Sequence, residues 1–162
     1  MITQVELKSR LKYDPDTGIF TWLTFLNNNK LKVGDVAGSR MRGGYRGITI
    51  DGKKYSSHIL AWLYVYGYVP IELDHKDRIR DHNWISNLRE TTRSLNNMNS
   101  SIRSDNTSGF KGVSKNGNKF QASIGINGKS EYLGRFNTPE EAHAEYCSAA
   151  SFIYGEFFNP GY

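Results

Sequence analysis

Residues 100–108 read SSIRSDNTS, a run of Ser, Thr, Asn, Asp and Arg around one Ile. Side chains of this kind hydrogen-bond their own backbone and favour turns over periodic structure. A hydrophobic core is not expected to continue through such a run. The chain of 162 residues is therefore expected to form two modules, 1–104 and 105–162. Each exceeds the ~40 residues below which independent folding becomes difficult.

In the first module, residues 3–11 carry the marks of a short amphipathic helix. Thr3 can cap, Glu6 follows at capping-box distance, and Val5, Leu7 and Leu11 supply apolar positions. Asp14-Pro15-Asp16-Thr17-Gly18 is a turn, followed by a predicted strand over 19–25 and a loop at Asn27-Asn28-Asn29. Asp51-Gly52 between residues 45–50 and 53–57 is the signal of a hairpin with a type I′ turn. The segment Arg40-Met41-Arg42-Gly43-Gly44-Tyr45-Arg46 ahead of it is basic and glycine-rich. Arg40, Arg42 and Arg46 suit a phosphate backbone, and a solvated turn accounts for them equally well. Residues 58–66 read as a helix stopped by Gly67, with Pro70 beyond. Residues 74–88 read as a strand end and a polar loop, and 89–99 as a second helix.

The second module alternates differently. Strand-like segments at 112–115, 119–126 and 131–136 are separated by Asn116-Gly117-Asn118 and Asn127-Gly128. Phe120, Ala122 and Ile124 fall on one face of the middle strand; Lys119, Gln121, Ser123 and Gly125 fall on the other. A helix follows with Thr138 as N-cap, Pro139 first, Glu141 as capping-box partner and Gly155 as stop. Ala142, Tyr146, Ala149 and Ile153 form its expected apolar face, with His143 expected to be exposed. The fold class is α+β.

Charge and cysteine content narrow the partners. A net charge of +5 and a pI of about 9.3 favour a polyanion. Cys147 is the single cysteine, so neither an internal disulfide nor a cysteine-based zinc site can form. The N-terminus lacks a signal-peptide pattern, and the apolar run at 59–65 is far short of the ~20 residues of a membrane span. The expectation is a soluble protein of the cytoplasm, bacterial or in a phage-infected cell, without membrane partners.

The chemistry lies in Leu73-Asp74-His75-Lys76-Asp77, Asn87-Leu88-Arg89 and Asn96-Asn97-Met98-Asn99. Hydrolysis of a phosphodiester needs a base for water, charge against the phosphate oxygens and stabilisation of the departing oxygen. An imidazole is the natural base at neutral pH, and a hard divalent cation on oxygen ligands supplies the charge. Adjacent on a strand, Asp74 and His75 diverge, one toward a metal and one toward the water. Asn96, inside the following helix, can return to complete the metal site. Asn87 is placed to hold the His75 ring.

This segment resembles the HNH (His-Me finger, ββα-metal) nucleases, close to phage and intron-encoded homing endonucleases. The matching positions are Asp74, His75, Asn87, Leu88, Arg89, Asn96 and Asn99, with a lead-in helix at His58-Ile59-Leu60-Ala61-Trp62; the motif core is 58–99. The resemblance implies His75 as general base, Asp74 and Asn96 as ligands of one divalent ion (Mg2+, with Mn2+ an alternative), and Asn87 as the residue orienting His75. Arg89 is left as either a packing or a phosphate-binding residue. Ile59 stands where Arg is usual, Arg78-Ile79 where Gly-Asn is usual, and His82-Asn83 where Asp-Asn is common. The third letter of HNH is Asn here, as in the homing subgroup. His58 is expected to pack or start its helix rather than serve as a second base.

Residues 105–159 resemble the AP2 DNA-binding domain, through Gly109-Phe110-Lys111-Gly112-Val113, residues 119–124 and residues 132–142. That family reads the major groove with a three-stranded sheet. Ser114, Ser123 and Gly125 stand where arginines are typical, leaving Lys111, Lys115, Lys119, Gln121, Lys129, Tyr132 and Arg135 as expected contacts. Together the resemblances imply a metal-dependent endonuclease acting on double-stranded DNA, a site-specific homing type or nickase, as monomer or homodimer. The alternatives are a non-catalytic, sequence-specific DNA-binding regulator and a structure-selective RNA-binding protein.

Overall fold

The computed structural model describes residues 2–24 and 31–161; the expected strand end at Phe25 and the Asn27-Asn28-Asn29 loop lie outside them. The chain divides into two compact units, Met1–Thr91 and Thr92–Tyr162, so the division falls before residues 93–99 rather than after residue 104.

The first unit opens with helix α1 (Gln4–Arg10). Thr3 Oγ1 accepts from the Glu6 N–H at 3.2 Å and the Glu6 carboxylate accepts from the Thr3 N–H at 2.8 Å, closing the capping box. Leu7 and Leu11 are fully buried, but Val5 is 78% exposed. Two residues before Leu7, it lies about 200° around the helix from the buried face. Strand β1 (Leu11–Tyr13) pairs antiparallel with β2 (Phe20–Trp22) across the Asp14–Gly18 turn, with Tyr13 opposite Phe20. Next come β3 (Ser39–Arg40), β4 (Arg46–Ile50) and β5 (Lys53–Ser56), in the order β3-β4-β5. Asp51 and Gly52 both take positive φ, 48° and 76°, as a type I′ turn requires. Helix α2 (Ser57–Tyr66) buries Leu60, Ala61, Trp62 and Leu63 against Ile48, Ile50, Phe20 and Leu7, and Gly67 ends it in the left-handed region.

Strand β6 (Glu72–His75) pairs antiparallel with β7 (Leu88–Thr91), and helix α3 (Arg93–Asn99) follows. The helix expected over 89–99 is therefore corrected: its first residues are a strand. Leu88 and Arg89 are held in the ladder opposite His75 and Asp74. Thr92 then caps α3, its hydroxyl accepting from the Leu95 N–H at 3.3 Å.

The second unit contains α3, the strands β8 (Val113–Asn116), β9 (Lys119–Ile126) and β10 (Lys129–Phe136), and helix α4 (Pro139–Tyr154). The strands form one antiparallel sheet in the order β10-β9-β8. Val113, Ala122 and Ile124 of the sheet and Ala142, Tyr146 and Ala150 of α4 make up its buried core. Gly112 has φ 75°, and a Cβ there would sit 2.0 Å from the Tyr146 ring, so neither the backbone nor the space admits a side chain. Two expectations for α4 are corrected. Its buried face is Ala142, His143, Tyr146 and Ala150, while Ile153 is exposed. His143 goes inward because its Nδ1 meets the Lys111 carbonyl at 2.9 Å and its ring lies 5.2 Å from Phe110. No helix among the described residues is long and apolar enough to cross a membrane.

Candidate active site

Strand β6 delivers Asp74 and His75 side by side, 6% and 5% exposed. The β6–β7 register sets Arg89 opposite Asp74. Arg89 Nε and Nη2 both donate to Asp74 Oδ2, at 3.0 and 2.8 Å, in a pair that is itself buried. Burying such a pair requires the charges to meet, since an ionised group taken out of water alone costs several kcal/mol. Arg89 is thus the counter-ion of Asp74, which settles the role left open by its sequence.

His75 is oriented by a residue that sequence reasoning did not select. Its Nε2 lies 3.1 Å from Oδ1 of Asn83, which is 1% exposed. The Asn83 amide is fixed by its other end, where Nδ2 donates to the Asp81 carbonyl at 3.1 Å. Oδ1 therefore faces the imidazole and accepts from Nε2–H, which makes Nδ1 the basic nitrogen of the neutral ring. Burial is the largest influence on His75 and holds its pKa below 6.5, against the upward pull of the Asn83 bond and of the Asp77 and Asp74 charges. The ring is accordingly in its base form at neutral pH.

Asn83 is in turn pinned by the N-terminal strands. The Tyr13 hydroxyl donates to the Asn83 carbonyl at 2.7 Å, and the Ile85 N–H donates to the Pro15 carbonyl at 3.0 Å. Gly18, at φ 74°, lets the Asp14–Gly18 turn close on the same backbone; a Cβ there would lie 2.4 Å from the Asn83 carbonyl carbon.

Asn87 does something else than expected. Its Oδ1 accepts from the Asp77 N–H at 3.1 Å, and its Nδ2 donates to Asp77 Oδ1 at 3.0 Å and to the His82 carbonyl at 2.8 Å. It closes the 77–82 loop, and orientation of His75 through Asn87 is corrected to orientation through Asn83. The same loop carries a His82–Asp77 pair at 2.6 Å, with the His82 ring 4.3 Å from Trp84. Burial pushes the Asp77 carboxyl up, but hydrogen bonds from His82, the Ile79 N–H and Asn87 leave it below its ordinary range. The usable signal for Asn83 was chain direction: the 77–82 loop must return past His75 to reach β7.

His58 stands edge-on to His75 with ring centroids 5.2 Å apart, and Tyr45 lies 5.2 Å from His58 and 6.1 Å from His75. Burial, then the neighbouring His75, push the His58 pKa down to about 4. His58 is a neutral packing ring, and its buried Nδ1 has no hydrogen-bond partner among the described residues. Arg80 covers the Tyr45 ring at 5.0 Å.

The remaining expected residues are dispersed. Arg40 and Arg42 are exposed, whereas Arg46 is engaged with Asp81 at 3.0 Å and with the Gly38 carbonyl. Asn96 lies half-buried within α3, in the second unit. On the sheet, Gln121 is opposite Ser114 and Arg135, and Ser123 is opposite Tyr132, so Lys119, Gln121, Tyr132 and Arg135 share the face away from α4. Arg135 donates to the Asn116 carbonyl at 3.0 Å, and Tyr132 is 62% exposed. Lys115 is opposite Phe120 and Lys129 opposite Ile126, which puts both on the α4 side of the sheet rather than with the other four. Lys111 spends its ammonium on three backbone carbonyls.

Residues 55–98 match the family model of HNH endonucleases. An uncharacterized HNH endonuclease of Acanthamoeba polyphaga mimivirus is 32% identical over 111 residues, 67% of this chain and 58% of that protein. The chain thus carries an HNH endonuclease domain over the residues that hold Asp74 and His75, and it spans about 58% of the length of that relative.

Proposed function

We propose that this chain is a DNA endonuclease that hydrolyses phosphodiester bonds at a site built on Asp74 and His75. The observation that carries the reading is the buried His75–Asn83 bond, which sets one ring nitrogen as a base beside a paired carboxylate inside the matched segment. His75 Nδ1 takes a proton from water, the water oxygen attacks phosphorus, and the bond to O3′ breaks with its electron pair going to O3′, which takes up a proton from solvent, leaving a 5′-phosphate and a 3′-hydroxyl. Asn83 holds the ring for that transfer, and the two hydrogen bonds from Arg89 hold the Asp74 carboxylate in place.

HNH nucleases generally use a divalent metal ion. Among the described residues no three His, Cys, Asp or Glu side chains gather to hold a metal. Mg2+ does not require such a cluster, because it keeps several waters and binds through one or two carboxylates plus substrate phosphates. Asp74 would offer such an ion a carboxylate oxygen; Asn96 is the second proposed ligand on chemical grounds alone, its amide oxygen being a hard donor too, and Mn2+ would suit the same donors. When bound, the ion supplies positive charge to the phosphate oxygens and the departing oxygen.

The substrate in this reading is double-stranded DNA, read by an AP2-like sheet through Lys119, Gln121, Tyr132 and Arg135. Cleavage is site-specific, of homing type or as a nick, by a monomer or a homodimer. Nicking of a supercoiled plasmid with and without Mg2+ tests it. The wild type should nick only with metal, and His75→Ala should lose ~100- to 10,000-fold in rate with DNA affinity retained. Near-full nicking by His75→Ala refutes the assignment.

A further inference from the structure

We propose that Lys111 is a positioning residue, clamping the carboxyl end of the helix that carries Asn96, and not a phosphate contact. Its consequence for metal use rests on the reading of Asn96 as a ligand.

The last carbonyls of a helix have no partner within it. Helix α3 has seven residues, too few to persist without outside contacts. Lys111 Nζ donates to the carbonyls of Met98 at 2.6 Å, Ser100 at 2.8 Å and Asn159 at 3.0 Å. An ammonium has three donors and no acceptor, so those three bonds engage it fully. A cation at this end also suits the helix dipole.

Asn159 completes the clamp. It is buried, its Nδ2 donates to the carbonyls of Asn99 at 2.9 Å and Ser100 at 3.3 Å, and its N–H donates to that of Met98 at 3.3 Å. Three consecutive carbonyls at the end of α3 are thus held by two residues remote in sequence. Lys111 is itself fixed at its backbone, where its carbonyl meets His143 Nδ1 of α4 at 2.9 Å. The chain of contacts runs from the core under the sheet, through His143 and Lys111, to a helix end less than one turn from Asn96. The fold of the C-terminal residues therefore sets where Asn96 stands.

The test uses the full chain with Lys111→Met, Lys111→Arg and Asn96→Ala. Amide hydrogen exchange in α3 should speed up ~10- to 100-fold in Lys111→Met, the worth of hydrogen bonds from a charged donor. Amides of β9 serve as the control that the sheet remains folded. Lys111→Arg, which keeps a charged donor, should recover part of the protection; it also carries the test if the Met variant fails to fold. The Mg2+ concentration for half-maximal nicking should rise by ~10-fold or more in Lys111→Met, as for other residues that orient a metal ligand. Duplex affinity without metal, and its salt slope, should stay as in the wild type. Unchanged exchange in α3 together with a salt slope reduced by ~0.9 makes Lys111 a phosphate contact and overturns the proposal. An unchanged Mg2+ midpoint in Asn96→Ala refutes the ligand reading instead, and the exchange data then decide the clamp by themselves.

Discussion

The assignment of Asn83 as the residue behind the base gives a pair of variants with opposite signs. The His75 pKa is lowered by burial and raised by the Asn83 bond, the first being larger. Asn83→Leu keeps the approximate shape and removes the acceptor, so burial acts with less opposition and the pKa falls further. Asn83→Asp keeps an oxygen at the 3.1 Å contact and adds charge, so the pKa rises. A carboxylate this close moves a neighbour by ~1–3 pH units. The acid limb of kcat/KM for nicking should therefore move up by that amount in the Asp variant and down in the Leu variant. The Leu variant should also lose ~10- to 100-fold in rate at neutral pH, the usual effect of removing a group that orients an imidazole. It leaves Nε2–H buried without an acceptor, at a cost of about 1–3 kcal/mol in stability. Single-turnover nicking from pH 5 to 9 at saturating Mg2+, with urea unfolding of each variant, measures both. Limbs that move in the same direction, or two profiles like the wild type, would refute the argument.

Three further perturbations follow from the same geometry. Arg89→Met removes the buried counter-ion of Asp74 and should destabilise the first unit, by up to ~3–5 kcal/mol, read by chemical denaturation. A loss under 1 kcal/mol would mean that Asp74 reaches water without Arg89. His58, near 4 when folded and 6.5 when exposed, binds its proton more readily in the unfolded chain. Its stabilising effect is complete above pH 6.5 and is lost as pH falls toward 4, by about 3 kcal/mol at 1.36 kcal/mol per pH unit. Unfolding at pH 7.5 and 4 should show that loss in the wild type and a smaller one in His58→Phe. Gly112→Ala forces a Cβ onto the Tyr146 ring at a positive φ, and thermal melting should show the second unit destabilised by more than ~3 kcal/mol.

Local signals were legible where one short-range interaction decides the structure. The two capping boxes, the Asp51-Gly52 turn, the Gly67 stop and the middle strand of the second sheet all depend on neighbours within a few residues. Asp74 and His75 were picked out by their resemblance to the HNH motif, and they lie within residues 55–98, which match the model of that family. What failed was decided at long range. The strand at Leu88–Thr91 exists because β6 supplies a partner, although the same residues lead into a helical pattern. His143 turned inward because a carbonyl thirty-two positions away offers its nitrogen a bond. Asn83 and Asn87 are chemically identical and four positions apart, and only the path of the loop decides which of them meets the imidazole.

The link at 100–108 misled for a related reason. Its polar composition marks a break in periodic structure, and one does occur there: no helix or strand lies between α3 and β8. A break in secondary structure need not be a break in packing, however. Helix α3 is too short to satisfy its own end, and the groups that satisfy it lie at Lys111 and Asn159. The matched family segment, 55–98, therefore runs past the division after Thr91 and takes its final helix from the unit that also holds the sheet. A cut after residue 104 would retain every motif residue and remove the groups that hold the last helix. If Asn96 is a ligand, Lys111 acts on metal use through that helix, and in the proposed reading this is separable from DNA contact, because Lys111 is spent on the end of α3 while Lys119, Gln121, Tyr132 and Arg135 share the face of the sheet away from α4.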